Sequence, residues 1–144
     1  MSNQAYLFVY GTLRRGFSHR MANVLAQDAE FVGLGTVQGR LYDLGSYPGV
    51  TLSLRTSDNV LGDVYKLRSR NQTLARLDRY EGYDPARPTR SLYVRKSVPI
   101  SMTDGRSIQA WVYLYNRPVQ GCELIESGDY LQYLDVGRYQ TAGR

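Results

Sequence analysis

Two short stretches of the sequence hold residues whose types and spacing could do chemistry. The first is Tyr10-Gly11-Thr12-Leu13, where the apolar run Leu7-Phe8-Val9-Tyr10 breaks at a glycine. Backbone N–H groups that follow a strand and face a helix N-terminus attract carboxylates, phosphates and developing oxyanions. The spacing Gly11-x-x-x-x-Gly16 matches the two glycines of a phosphate loop, but Phe17 stands where that loop needs its lysine, and no G-x-G-x-x-G fingerprint is present. Nucleotide binding is therefore disfavoured. A loop for a smaller anion remains open, with Gly11 letting the backbone approach a ligand closely, and so does a plain strand-to-helix turn.

The second stretch is "LARLDRYEGY". Wound at about 100° per residue, 71–81 places Leu74, Leu77 and Glu81 on one stripe with Asp78 at its edge. A carboxylate on an inward face loses water, which raises its pKa, and Gly82 ends the helix where the dipole also disfavours negative charge. Both effects push Glu81 toward proton transfer near neutral pH. The alternative is a frayed last turn, with Glu81 in solvent or paired with Arg76, Arg79 or Arg95.

Other chemical candidates are sparse. His19 is the single histidine, so no triad can form, and a capping or surface role suits it. Cys122 is the single cysteine, which rules out an internal disulfide and a cysteine metal cluster. Of the thirteen tyrosines, Tyr10 and Tyr93 stand out because one flanks the loop and the other follows the acid. Arg14 and Arg15 can add charge for a substrate or simply be solvated.

The elements that must position these residues are mostly strands. Strands are predicted at 5–9, through "AEFVGLGTVQGRLYDLG", at 60–67, and in "SLYVRKSVPISM" and "RSIQAWVYLYN", the last two joined by an Asp104-Gly105 hairpin. Glycines 33, 35 and 39 suggest bulges or bends. Helices are predicted at 19–28, at 71–81 with Asn71 as N-cap, and in the tail "GDYLQYLDVGRY". "SYPGV" reads as a turn and "GYDPARPTR" as irregular loop. Strands and helices do not alternate, which argues for an α+β fold: a small mixed, partly open β-barrel with two or three short helices.

Length and composition fit one domain, 1–144, with a core at about 5–116 and a C-terminal extension 117–144. No apolar run approaches the roughly 18 residues of a membrane span, and "MSNQAYLF" lacks a secretory pattern, so a cytoplasmic location is expected. The net charge of +5 comes from sixteen arginines and two lysines against thirteen acids. The arginines are scattered, so nucleic acid is not an expected partner.

Taken in order, "FVYGTLRRG", "LYDLGSYPG", "LARLDRYEGY", "YVRKSV" and "AWVYLY" resemble the gamma-glutamylcyclotransferase-like family over Tyr6 to Asn116. The resemblance implies a compact barrel in which the backbone of Tyr10, Gly11, Thr12 and Leu13 holds the glutamyl part of a substrate. It implies Glu81 as the catalytic acid and base, and Tyr93 joins the substrate-binding candidates. The implied reaction is attack of a γ-glutamyl α-amine on its own γ-carbonyl, releasing 5-oxoproline and an amine from a small-molecule substrate, with no metal or organic cofactor. Phe17-Ser18-His19-Arg20 departs from the family, whose members frequently carry an asparagine-histidine pair there. A non-catalytic module binding an amino-acid-like ligand in the same cleft is the alternative.

Overall fold

The computed structural model describes residues 5–14 and 20–135, and for Arg20 its backbone only. Arg15, Gly16, Phe17, Ser18 and His19 lie outside the described residues, and so do the expectations attached to them.

Strand β1 (Ala5–Val9) is buried along almost its whole length, as an unbroken apolar run at the centre of a sheet must be. It lies between β4 (Asn59–Leu67), antiparallel, and β6 (Ser107–Tyr115), parallel. Helix α1 (Arg20–Asp28) leads into β2 (Ala29–Asp43), one strand of 15 residues. Its register against β4 slips between Phe31 and Gly33, a bulge within the glycine-punctuated segment.

Strand β5 (Tyr93–Met102) forms a long antiparallel hairpin with β6, turned through Asp104-Gly105. The order β2-β4-β1-β6-β5 returns to β2 through Gly35↔Met102 and Thr36↔Ser101. The barrel expected to be partly open is thus closed, but by a two-residue ladder.

Three local expectations change. Strand β3 (Pro48–Leu52) begins inside "SYPGV" and pairs with the far end of β2; its proline occupies the first strand position, where a missing N–H is tolerated. Helix α2 (Arg70–Glu81) starts at Arg70, with Ser69 rather than Asn71 at the N-cap. Within "GYDPARPTR" a single 3₁₀ turn forms at Pro88–Arg90.

Alternation along the strands separates two apolar clusters. Phe8, Val37, Val64, Ile100 and Val112 pack inside the barrel. Leu7, Val9, Leu25, Leu74, Leu77 and Tyr113 form the layer under the helices. The chain after β6 joins the first cluster: β7 (Glu123–Leu124) pairs with β2, and Ile125 and Tyr130, the latter opening a helix at 130–135, are buried. No helix among the described residues is long and apolar enough to cross a membrane.

Candidate active site

Where β1 ends, the chain turns sharply: the Arg14 N–H donates to the Gly11 carbonyl at 3.0 Å, closing a turn over 11–14. The N–H groups of Thr12 and Leu13 make no backbone hydrogen bond among the described residues. Gly11 is needed for packing. A Cβ there would sit 2.7 Å from Cγ of Pro48, so its bare Cα lets the loop lie against the start of β3.

Helix α2 delivers the carboxylate. Leu74 and Leu77 bury its inner face, and Gly82 stops it in the left-handed conformation, φ 70°. The Tyr83 N–H closes the C-terminus on the Asp78 carbonyl at 2.8 Å, and the Leu92 N–H donates to the Gly82 carbonyl at 3.1 Å. The last turn is therefore fixed and does not fray.

Glu81 lines a cavity of about 350 Å³ together with Tyr10, Gly11, Thr12, Leu13 and Tyr93. The six residues named as catalytic or substrate-binding candidates meet at one place. Glu81 keeps some accessible surface through the cavity, but protein surrounds its carboxyl on most sides, and desolvation pushes it up to about 7. Arg76 is paired with Asp28 and Arg95 with Asp78, so neither of these arginines offsets that loss. Arg79 lines the same cavity from an exposed position.

The two tyrosines act through their hydroxyls as braces. Tyr10 donates to the Tyr113 carbonyl at 2.6 Å, and Tyr93 to the Pro48 carbonyl at 2.6 Å. Burial is the largest cause raising both phenols well above their ordinary value. Their protons are thus held on backbone carbonyls, which fixes β3 and the loop around the cavity.

Arg14 contradicts the reading of it as a solvated or substrate-facing charge. It is 5% exposed and reaches Asp63 at 3.5 Å and Asp129 at 3.1 Å. A buried arginine is retained only when carboxylates compensate its lost hydration.

Several lining residues were not singled out in the sequence. Tyr113 comes from β6, Pro48 from β3, Tyr47 from the turn before it, and Tyr80 from α2. Tyr80 brings the helix, and Thr12 the loop, to the wall of the same cavity. Tyr113 donates to Asp78 Oδ1 at 2.6 Å, the carboxylate that Arg95 clamps at 2.8 and 3.1 Å. Arg95 also stacks 4.5 Å above the ring centre of Trp111. Asp78, placed at the stripe's edge by periodicity, is therefore an anchor one turn before Glu81. The period-2 pattern of "WVYLY" was the available signal for Tyr113.

Fold and cavity together define a small closed barrel with a phenol-braced backbone loop facing one desolvated carboxylate. Residues 7–132 match the family model described as "Gamma-glutamyl cyclotransferase, AIG2-like", and the chain belongs to that family. It is similar to the gamma-glutamylcyclotransferase family protein YtfP of Escherichia coli, 38% identical over 128 residues that cover 87% of this chain and 95% of the relative. The gamma-L-glutamyl-butirosin B gamma-glutamyl cyclotransferase of Niallia circulans is 34% identical over 116 residues, covering 77% and 67%. Among solved structures, an AIG2-like protein from Mus musculus superposes with a TM-score of 0.64 at 25% identity, covering 83% of this chain and 82% of that one.

Proposed function

We propose that the protein is a γ-glutamyl cyclotransferase that releases 5-oxoproline and a free amine from a small γ-glutamyl amine or amide. The observation that carries the proposal is Glu81: a carboxyl raised to about 7 by desolvation, in the cavity bounded by the 10–13 loop. Family membership supports gamma-glutamylcyclotransferase-like activity in general.

The substrate binds with its glutamyl carboxylate, or the oxygen that becomes an oxyanion, toward the N–H groups of the loop. Glu81 takes a proton from the α-ammonium. The freed amine attacks the γ-carbonyl carbon, and a tetrahedral intermediate forms. Glu81 then delivers that proton to the departing nitrogen as its bond to carbon breaks, and takes a second proton from the ring nitrogen, which it passes to the released amine. Two of the ammonium's three hydrogens end on the leaving amine, one stays on the lactam nitrogen, and no water is consumed. Closure of a five-membered ring gains from alignment of the two reacting groups, so the site must hold an extended glutamyl chain folded.

The test is release of 5-oxoproline from a panel of γ-glutamyl amines by wild type and Glu81→Gln. Loss of a general acid–base group is expected to lower kcat by about 10²–10⁴-fold. Activity that survives in Glu81→Gln overturns the assignment, and ligand binding without turnover in wild type points to a binding module.

A further inference from the structure

The arginines are spent unevenly. Arg14, Arg40, Arg76, Arg95 and Arg106 each pair with a carboxylate. Arg68 and Arg117 donate to backbone carbonyls. Arg79, Arg87 and Arg90, all exposed, make no ion pair and no side-chain hydrogen bond among the described residues, and they gather around one hollow of about 360 Å³. That hollow adjoins the Glu81 cavity, since Arg79 and Gly82 form a wall of both.

Two carboxylates also line it, and neither balances the three guanidinium groups. Asp78 is occupied by Arg95 and Tyr113. Asp84 accepts the Ala86 N–H at 3.0 Å and supplies a single charge.

The scaffold under these arginines is tied down. Ser91 Oγ accepts the Asp84 N–H at 2.8 Å and donates to the Arg87 carbonyl at 3.1 Å. The Arg117 guanidinium holds the Arg90 carbonyl at 2.9 Å and the Ser91 carbonyl at 2.7 Å. Asn116 holds the Pro88 carbonyl at 3.0 Å. Side-chain bonds to its backbone thus fix the segment while its charged ends stay open, an arrangement in which like charges repel until an anion enters.

Resting on the cyclotransferase reading, we infer that this hollow receives the leaving amine. Arg79, Arg87 and Arg90 select amines that carry an anionic group, carboxylate or phosphate, over polycationic amines. Guanidinium groups suit both anions because their planar donors match oxygen pairs. Selection by exposed charges acts through long-range attraction and weakens as salt rises.

The experiment compares four γ-glutamyl amides of similar size, whose leaving amines are glycine, O-phosphoethanolamine, ethanolamine and 1,2-diaminoethane. At low ionic strength kcat/KM is expected to favour the two anionic amines over the diamine by about tenfold or more, narrowing with added salt. In Arg87→Gln/Arg90→Gln, and separately in Arg79→Gln, the anionic-to-neutral ratio of kcat/KM is expected to fall several-fold, by up to about tenfold in the double variant. The glycine and phosphate arms decide which anion the hollow prefers.

Turnover of the ethanolamide with no charge preference, or a ratio unchanged in all the variants, overturns this inference and leaves the cyclotransferase reading standing. Release of no 5-oxoproline from any of the four overturns that reading and the inference with it.

Discussion

At the scale of the single residue, Glu81 has two measurable signatures with opposite consequences. In the proposed reaction its ionised form is the base, so kcat/KM is expected to rise with pH and level off above a midpoint near the value of about 7 set by desolvation. A limb with its midpoint in the ordinary carboxylate range, near 4.3, contradicts the role. In stability the sign reverses. The native carboxyl holds its proton to about 7, whereas the unfolded chain releases it at about 4.3. Between those values the native state binds more protons, so this residue's contribution to stability falls as pH rises from about 4.5 to about 7 and is constant above. The size is about 1–3 kcal/mol once the residual exposure of Glu81 is allowed for. Urea unfolding of wild type and Glu81→Gln at pH 5 and pH 8 isolates it, because all other titrations are shared. The variant is expected to gain relative stability at pH 8, and identical pH dependence removes the argument.

At the scale of elements, the site depends on how α2 and the 10–13 loop are locked to the barrel. Asp78, Arg95 and Tyr113 form a buried junction between the helix and strands β5 and β6. Arg95→Met leaves the Asp78 carboxylate with the Tyr113 hydroxyl alone, and removing one partner of a buried pair costs about 3 kcal/mol or more. Adding Asp78→Asn is expected to recover part of that cost, and denaturant titrations of the four-member cycle measure it. Trp111, the single tryptophan, lies under Arg95 and reports on the junction by fluorescence. Strictly additive losses rule the coupling out. The helix was legible in the sequence because Leu74, Leu77 and Glu81 share a stripe and Gly82 marks the stop. The loop was legible because a glycine interrupts an apolar strand. Strand β3 was not, since Pro48-Gly49 has turn composition and only pairing with β2 makes the segment extended.

At the scale of the whole molecule, what could not be read from sequence was long-range neutralisation. The partners of Arg14 lie 49 and 115 residues away, so nothing local distinguishes it from a solvated arginine. The same ion pairs make a claim about the chain after β6. Asp129 holds Arg14 at 3.1 Å, Ile125 and Tyr130 are 3% and 4% exposed, and the Leu61 N–H donates to the Gly128 carbonyl at 2.8 Å. Burying two large side chains contributes about 1.5–3 kcal/mol each. Their loss, together with a buried arginine left with one partner at 3.5 Å, rivals the 5–15 kcal/mol by which domains of this kind are stable. A chain ending at Asn116 is therefore expected to lose its cooperative thermal transition and native-like near-ultraviolet circular dichroism, although it retains every strand of the barrel. Asp129→Asn alone is expected to cost about 1–2 kcal/mol through the weakened hold on Arg14, and it is also expected to loosen the turn that follows Gly11. A truncated chain that unfolds cooperatively at the wild-type temperature shows instead that residues 117–135 are dispensable to the barrel.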